Sequence, residues 1–517
     1  MKRAAQAAAV LLLAASVHAG GTVTAKKAAL STAHPLATKA GLAVLQRGGT
    51  AADAAVTVAL ALAVVRPQSG NVGGGGFLTY YDAESRGVWT LDFRETAPRL
   101  ATKDSLQTGG AAAGVPGTLA GLQALHERFG KRPWKELVQP AVLLAQDGPR
   151  DDAELAADVA RAKATRKLEL PEKLPPPALA ATMQRIAEHG ARDFYKGELA
   201  KKLVEDVKGA GGVIGHRDLA DYKAVWRAPL KLNYGDFEIY SVPPPSGGGL
   251  VIGETLNILA ADDLRAAGFQ TPRSLYLLLE AYRRAYIDRY RYVADPAGAR
   301  IPYRELLSRA RGEQWRGTIA ERVVPTRNLA EPRALIAEGA HTTHFTIADA
   351  HGNVVAFTTS LGDDFGSGVL APSLGIFLNS ANADFSTRPN DIGPGKRAAS
   401  SLAPTIILRD GRPFLALGTS GGTAIPTTIL QVFLNVVVHG KSLPVAVAAP
   451  RYHHAAIPDE LVTERVRAPQ PTTDALNAMG HGVVLRDGIG DVHAILFENA
   501  RLVAVADPRR GGAAGGY

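Results

Sequence analysis

The chain has 517 residues, 46% of them hydrophobic and 21% charged, enough apolar material for one large layered unit or two to three ordinary domains. Its formal net charge is +9, but no basic block is interleaved with aromatics. The balance therefore argues against nucleic-acid binding and for a diffuse basic surface or attraction to small acidic molecules. There is no cysteine, which removes disulfides, thiolate catalysis and cysteine-based metal sites.

At the N-terminus, Lys2 and Arg3 precede an apolar stretch from Ala4 to Ala15 and then Val17-His18-Ala19. This reads as a secretory signal over residues 1–19, too short to span a bilayer. No other segment reads as a membrane span, so the expectation is an exported protein, in a bacterial periplasm or the medium. Leu30 to Gly48 has helical spacing of apolar residues, and Ala51 to Val65 reads as a buried core helix. Gly73 to Gly76 precede a strand and permit close approach of another chain segment or a ligand. They are not a phosphate loop, because no Lys-Ser/Thr and no helix follow.

Trp89 to Phe93 reads as a strand ending in Asp92-Phe93-Arg94-Glu95, and Gly114 to Leu125 as a turn into a helix. Residues from about 130 to 235 read as mainly helical, with a surface loop at Leu174-Pro175-Pro176-Pro177. Helices follow over Leu250 to Ala260 and Ser274 to Arg291. Thr318 to Gly339 has no clear period and reads as a linker or exposed loop. Beyond Thr342 the pattern turns to strands at 343–348, 354–359, 376–378, 404–409 and 413–418. Two helices follow (423–439 and 472–479), then strands near 483–506. Separate runs of helices and strands indicate an α+β sandwich.

Three constellations carry candidate chemistry. Gly418-Thr419-Ser420-Gly421-Gly422 lies between a strand and a helix and matches a nucleophile elbow, with His453 or His493 as the base. The same turn reads equally as a glycine-rich connection, or as an oxyanion hole made by the N–H groups of Gly421 and Gly422. His341, His344 and the pair His453-His454 do not share one ion at strand spacing, so no metal is expected. Thr342 is the third candidate. A threonine hydroxyl needs a base beside it, and the α-amino group of an N-terminal threonine, with a pKa near ~8, can be that base. This requires a cut between His341 and Thr342.

From about Ala29 to Tyr517 the chain resembles the γ-glutamyltranspeptidase family (glutathione hydrolase proenzymes). The resemblance is carried in order by ALSTAHPLATKAG, GGTAADAAV, PQSGNVGGGGF, DFRETAP, GVPGT, DYKAVWRAPL, PPPSGGG, TTHFTIADAHGN, GKRAASSLAPT, GTSGGT, APRYHH and DPRRGGAAGGY. It implies the N-terminal nucleophile hydrolase fold, an αββα sandwich. It also implies self-cleavage before Thr342 into a large subunit (20–341) and a small subunit (342–517) that stay associated as a heterodimer.

Roles follow from the resemblance position by position. Thr342 is implied as the nucleophile, Ser360 as the supporting hydroxyl, and Gly421 and Gly422 as the oxyanion hole. Arg94, Ser400 and Ser401 are implied to bind the substrate α-carboxylate, and Asp384 its α-ammonium. No cofactor is implied. The donors are γ-glutamyl small molecules or peptides, and the acceptors are water, amino acids or peptides. Two positions depart from the best-known bacterial members: Gly362 stands for an asparagine and Ala381 for a glutamine near the ammonium. The stretch Asp384 to Ser400 is also short, so an open site is expected. Three alternatives stand beside this reading: an acylase for glutaryl or cephalosporin-type amides on the same fold, a non-catalytic γ-glutamyl peptide-binding protein, and the serine hydrolase built on Ser420.

Overall fold

Two antiparallel sheets lie face to face in the computed structural model, which describes residues 16–19, 21–103, 109–148, 151–330, 339 and 342–517. The eight-stranded sheet runs Ser16–Ala19, Ala513–Gly516, Ala29–Thr32, Thr342–Ala348, Val354–Ser360, Gly75–Asp82, Gly87–Asp92, Val225–Arg227. The seven-stranded sheet runs Thr22–Ala25, Arg501–Ala506, His493–Glu498, Arg412–Gly418, Thr405–Arg409, Phe237–Ser241, Leu230–Tyr234.

Both faces of the central strands are covered, which is why TTHFTIA and VVAFTTS are buried throughout. On the outer face, Phe345, Ile347, Val355 and Phe357 pack with the helices Pro35–Gln46 and Ala51–Val65. Between the sheets, Ala348, Val354 and Ala356 meet Ile406, Ala416, Ile495 and Ala504. The helices Gly248–Ile258, Pro272–Tyr292 and Ala424–Val437 cover the far side of the second sheet. The result is the αββα sandwich.

The Ala-rich helix begins where its sequence dictates. Thr50 Oγ1 accepts from Asp53 N (3.2 Å) while Asp53 Oδ2 accepts from Thr50 N (2.9 Å), a reciprocal cap. The four glycines also have a clear cause. A Cβ on Gly73, Gly74, Gly75 or Gly76 would lie 2.2, 2.3, 2.6 or 2.1 Å from the carbonyl oxygen of Phe377, Ser360, Phe93 or Thr358.

Several local expectations change. The segment read as helical from Leu30 is a strand, Ala29–Thr32, and the helix starts at Pro35, where His34 Nδ1 caps Leu36 N. Val225–Arg227 and Leu230–Tyr234 are strands inside the region read as helical, because sheet edges recruit them. Pro175 and Pro176 are buried rather than on the surface. In Thr318 to Gly339, Val323 N bonds Met479 O and Thr326–Leu329 forms a helical turn. Residues 331–338 of that stretch lie outside the described residues, as do His341 and residues 1–15 of the expected signal. The last residues of that signal, Ser16–Ala19, pair with Ala513–Gly516 at the sheet edge.

Candidate active site

The site begins with hairpin register. The turn is closed by Asp349, whose Oδ1 accepts from His351 N (2.8 Å) and Asn353 N (3.0 Å). That closure pairs Ala348 with Val354 and, at the open end, Thr342 with Ser360. A slip of one residue would turn Thr342 to the other face. In register, Thr342 Oγ1 donates to Ser360 Oγ (3.1 Å), which also accepts from Gly362 N (2.9 Å). Ser360 pairs on its other side with Gly75, so Thr342, Ser360 and Gly75 stand abreast on three adjacent strands.

Across the sandwich, Gly418 makes room for His344: a Cβ there would sit 2.4 Å from the imidazole. The His344 ring nitrogens face Thr358 Oγ1 (2.8 Å) and Thr346 Oγ1 (3.0 Å), and burial holds its pKa well below the usual histidine value. The chain then turns through Gly421 (φ 125°) and Gly422 (φ 56°), left-handed positions that favour glycine, into the helix Ala424–Val437. Tyr286 Oη donates to Thr423 O and lies beside Ser401.

The histidines proposed to serve Ser420 are engaged elsewhere. His453 contacts Thr423 Oγ1 (3.2 Å) and Thr427 Oγ1 (2.9 Å). His493 contacts Ser31 Oγ (2.9 Å) and Asp491 Oδ2 (3.2 Å). The nucleophile-elbow reading of Ser420 loses its base.

Arg94 and Glu95 follow the strand Gly87–Asp92, and the Glu95 carboxyl packs 2.8 Å from where a Gly75 Cβ would lie. The Arg94–Glu95 pair exists, but Arg94 is 3% and Glu95 1% exposed, so it is no surface contact. Arg94 Nη1 donates to Glu95 Oε2 (3.0 Å) and Nη2 to Asp384 Oδ2. Burial disfavours the Arg94 charge, but the two carboxylates outweigh it and raise its pKa. Burial pushes the Glu95 carboxyl up. It also pushes Asp384 up to about 6, against the pull of Arg94.

Asp384 ends a short 3₁₀ turn, Ala381–Asp384, tied by Asn390: Nδ2 donates to Asp384 O (2.8 Å) and Oδ1 accepts from Ala399 N (2.8 Å). Ser400 and Ser401 are buried. Ser400 Oγ accepts from Leu402 N (3.1 Å), while the PPPSGGG loop grips this segment through Gly247 N to Ser400 O (2.7 Å) and Ser246 Oγ to Leu402 O (2.6 Å). Among the two departures, Gly362 adopts φ 90°, and Ala381 is buried with its N–H on Asn379 Oδ1 (3.0 Å). Glu95, Ser246, Asn379 and Asn390 were not singled out in the sequence. Ser246 stands in a recognisable motif, whereas Asn390 carries no sequence signal. In the single chain Thr342 is 6% and Asp384 5% exposed. Opposite charges on Arg94 and Asp384 meet directly and close the space between them.

An αββα sandwich with a threonine opening a central strand is the architecture of N-terminal nucleophile hydrolases. A family profile described as Gamma-glutamyltranspeptidase matches residues 37–517, and the chain belongs to that family, as one of its enzymes. It is 35% identical to a glutathione hydrolase proenzyme from Escherichia coli (strain K12), over 94% of this chain and 91% of that protein. It is 34% identical to an acylase ACY 1 proenzyme from Pseudomonas sp. (strain V22), over 92% and 90%. Its fold is similar to a cephalosporin acylase from Bacillus halodurans, with TM-score 0.85, 27% identity, and 96% and 97% of the two chains covered. Among the described residues, no helix is long and apolar enough to cross a membrane.

Proposed function

We propose that the chain is a self-processing γ-glutamyl hydrolase and transpeptidase, acting on glutathione and related γ-glutamyl compounds. The observation that carries this reading is the buried Arg94–Asp384 pair, linked to the Thr342–Ser360 hydroxyl pair through Glu95, which packs against Gly75, the strand partner of Ser360. A γ-glutamyl group bears a carboxylate and an ammonium on one carbon. It can therefore replace each partner of the ion pair with its own opposite charge, so that neither buried ion is left bare. The guanidinium fork of Arg94, with Ser400 and Ser401, takes the carboxylate. Asp384 takes the ammonium.

In this reading the chain is cut between His341 and Thr342. The freed Thr342 amine takes the proton from Oγ1, and Oγ1 attacks the γ-carbonyl carbon. The N–H groups of Gly421 and Gly422 hold the oxyanion. The amine returns its proton to the leaving nitrogen, the amide C–N bond breaks, and a γ-glutamyl ester remains on Thr342. Water or an acceptor amine then gives a proton to the same amine and bonds to the ester carbon; the C–Oγ1 bond breaks and the amine returns the proton to Oγ1.

The large subunit would be residues 20–341 and the small subunit 342–517. Strands from both alternate within the eight-stranded sheet, which supports a persistent heterodimer after cleavage. Residues 1–19, read as a signal, support an exported mature enzyme, in a bacterial periplasm or the medium.

A second reading, an acylase for glutaryl or cephalosporin-type amides, is favoured by the absence of polar side chains at Gly362 and Ala381. Comparing kcat/KM for a γ-glutamyl anilide and its glutaryl counterpart decides between them. Preference for the γ-glutamyl compound is expected, and preference for the glutaryl compound would establish the acylase.

A further inference from the structure

We propose that the Ser380 hydroxyl is a specificity-determining contact for the α-ammonium of the acyl donor, occupying the space a side chain at position 362 would need. The inference rests on the γ-glutamyl reading above and deepens it.

Gly362 N–H bonds Ser360 Oγ, the partner of Thr342. A Cβ at Gly362 would lie 2.3 Å from Ser380 Oγ and 3.5 Å from Ser380 Cβ. The serine oxygen itself, not its carbon frame, fills that space. It is held from two sides: Oγ donates to Leu361 O (3.2 Å) and accepts from Asp363 N (3.2 Å). A hydroxyl has one donor and two acceptor positions, so its proton is used and one acceptor position remains.

Ser380 also precedes the turn Ala381–Asp384 that carries Asp384, its carbonyl accepting from Ala383 N (2.9 Å). It therefore links the segment at Gly362, whose N–H bonds the Ser360 partner of Thr342, to the turn that ends in Asp384, and an acyl chain reaching from Thr342 toward Asp384 would pass along it. At the Asp384 end, Ala381 offers only a buried methyl. An oriented acceptor on the turn that also carries a carboxylate suits a cationic N–H donor. A glutaryl group has no such donor and gains nothing from it.

The test measures kcat/KM for γ-glutamyl and glutaryl anilides on the self-cleaved wild type, Ser380→Ala and Ser380→Cys. The cysteine keeps the side chain's shape and replaces the oxygen with a weak acceptor. The expected result is a fall of about tenfold in the γ-glutamyl to glutaryl ratio in both variants, the scale of one hydrogen bond to a charged group. Loss of packing alone would lower both substrates together and leave the ratio unchanged. A wild type active on the γ-glutamyl anilide, with an unaltered ratio in whichever variants mature, overturns the role of Ser380 alone. If Ser380→Ala does not mature, the cysteine variant decides; if neither matures, Ser380 is structural and the proposal falls. A wild type that cleaves only the glutaryl anilide overturns the γ-glutamyl reading first.

Discussion

Arg94 and Asp384, 290 residues apart in sequence, share a buried hydrogen-bonded ion pair, and the Glu95 bound to the same arginine packs against Gly75, the strand partner of Ser360. Arg94 also pairs with Glu95, and Arg289 acts on Asp384 alongside Arg94. A zwitterion can exchange with such a pair, whereas a simple anion would leave Asp384 buried and unmatched.

This relationship sets a pH dependence. Asp384, pushed up to about 6 by burial, is neutral below that pH and ionised above it. A neutral carboxyl loses the charge attraction for an ammonium. The γ-glutamyl to glutaryl ratio of kcat/KM should therefore fall as pH drops from about 7 to 5, and Asp384→Asn should remove that dependence. A ratio flat across this range in the wild type would rule out Asp384 as the ammonium partner.

Thr342→Ala should leave one full-length chain, while the wild type yields two chains with the smaller beginning at Thr342. Intact mass reads both. Thr342→Ser, which keeps a hydroxyl, should still cleave. An uncleaved wild type would leave Thr342 without a free amine and would return the binding-protein reading to first place.

Ser360 links Thr342 Oγ1 to Gly362 N, and in the proposed mechanism it aligns the hydroxyl rather than carrying the reaction. Ser360→Ala removes both bonds, at a cost of about 1–3 kcal/mol. The expected effect is roughly a 5- to 160-fold fall in the rate of self-cleavage and of kcat. Ser360→Thr should recover most of it. Equal rates in the alanine variant and the wild type would remove Ser360 from the site.

His453 is buried between Thr423 and Thr427, and burial lowers its pKa to about 3. The unfolded chain takes up a proton below about pH 6.5, and the folded one does not until about 3. Stability from this histidine is thus complete above 6.5 and declines as pH falls. His453→Gln should cost about 1–3 kcal/mol at pH 7.5 by leaving a threonine hydroxyl unmatched. That cost should shrink by up to about 1.4 kcal/mol per pH unit below 6.5. Urea denaturation at pH 7.5 and 5 measures it, and a cost that grows on acidification would contradict the assignment.

The layered α+β character, the core helix Ala51–Val65, the hairpin from Thr342 and the strand-to-helix glycine turn were all legible in the sequence. Each rests on local patterning: apolar periodicity, turn residues or glycine content. The quartet Gly73 to Gly76 even announced a close approach, though not the four carbonyls it meets. Resemblance named Arg94, Asp384, Ser400 and Ser401 from short motifs. Strands such as Ala513–Gly516 and Val225–Arg227 were invisible, because weak local preference yields to a neighbour's free hydrogen-bonding edge.

What the sequence by itself determined is which residues can do chemistry: a threonine at the head of a strand, a serine 18 positions later, an arginine and an aspartate in separate motifs. Only the tertiary structure decided which of them meet. Cross-strand register sets Thr342 against Ser360, and burial on both sheet faces makes Arg94 and Asp384 seek each other. The close fit of Ser380 against Gly362 depends on two loops that pass within van der Waals distance, a relation that one-dimensional spacing does not contain.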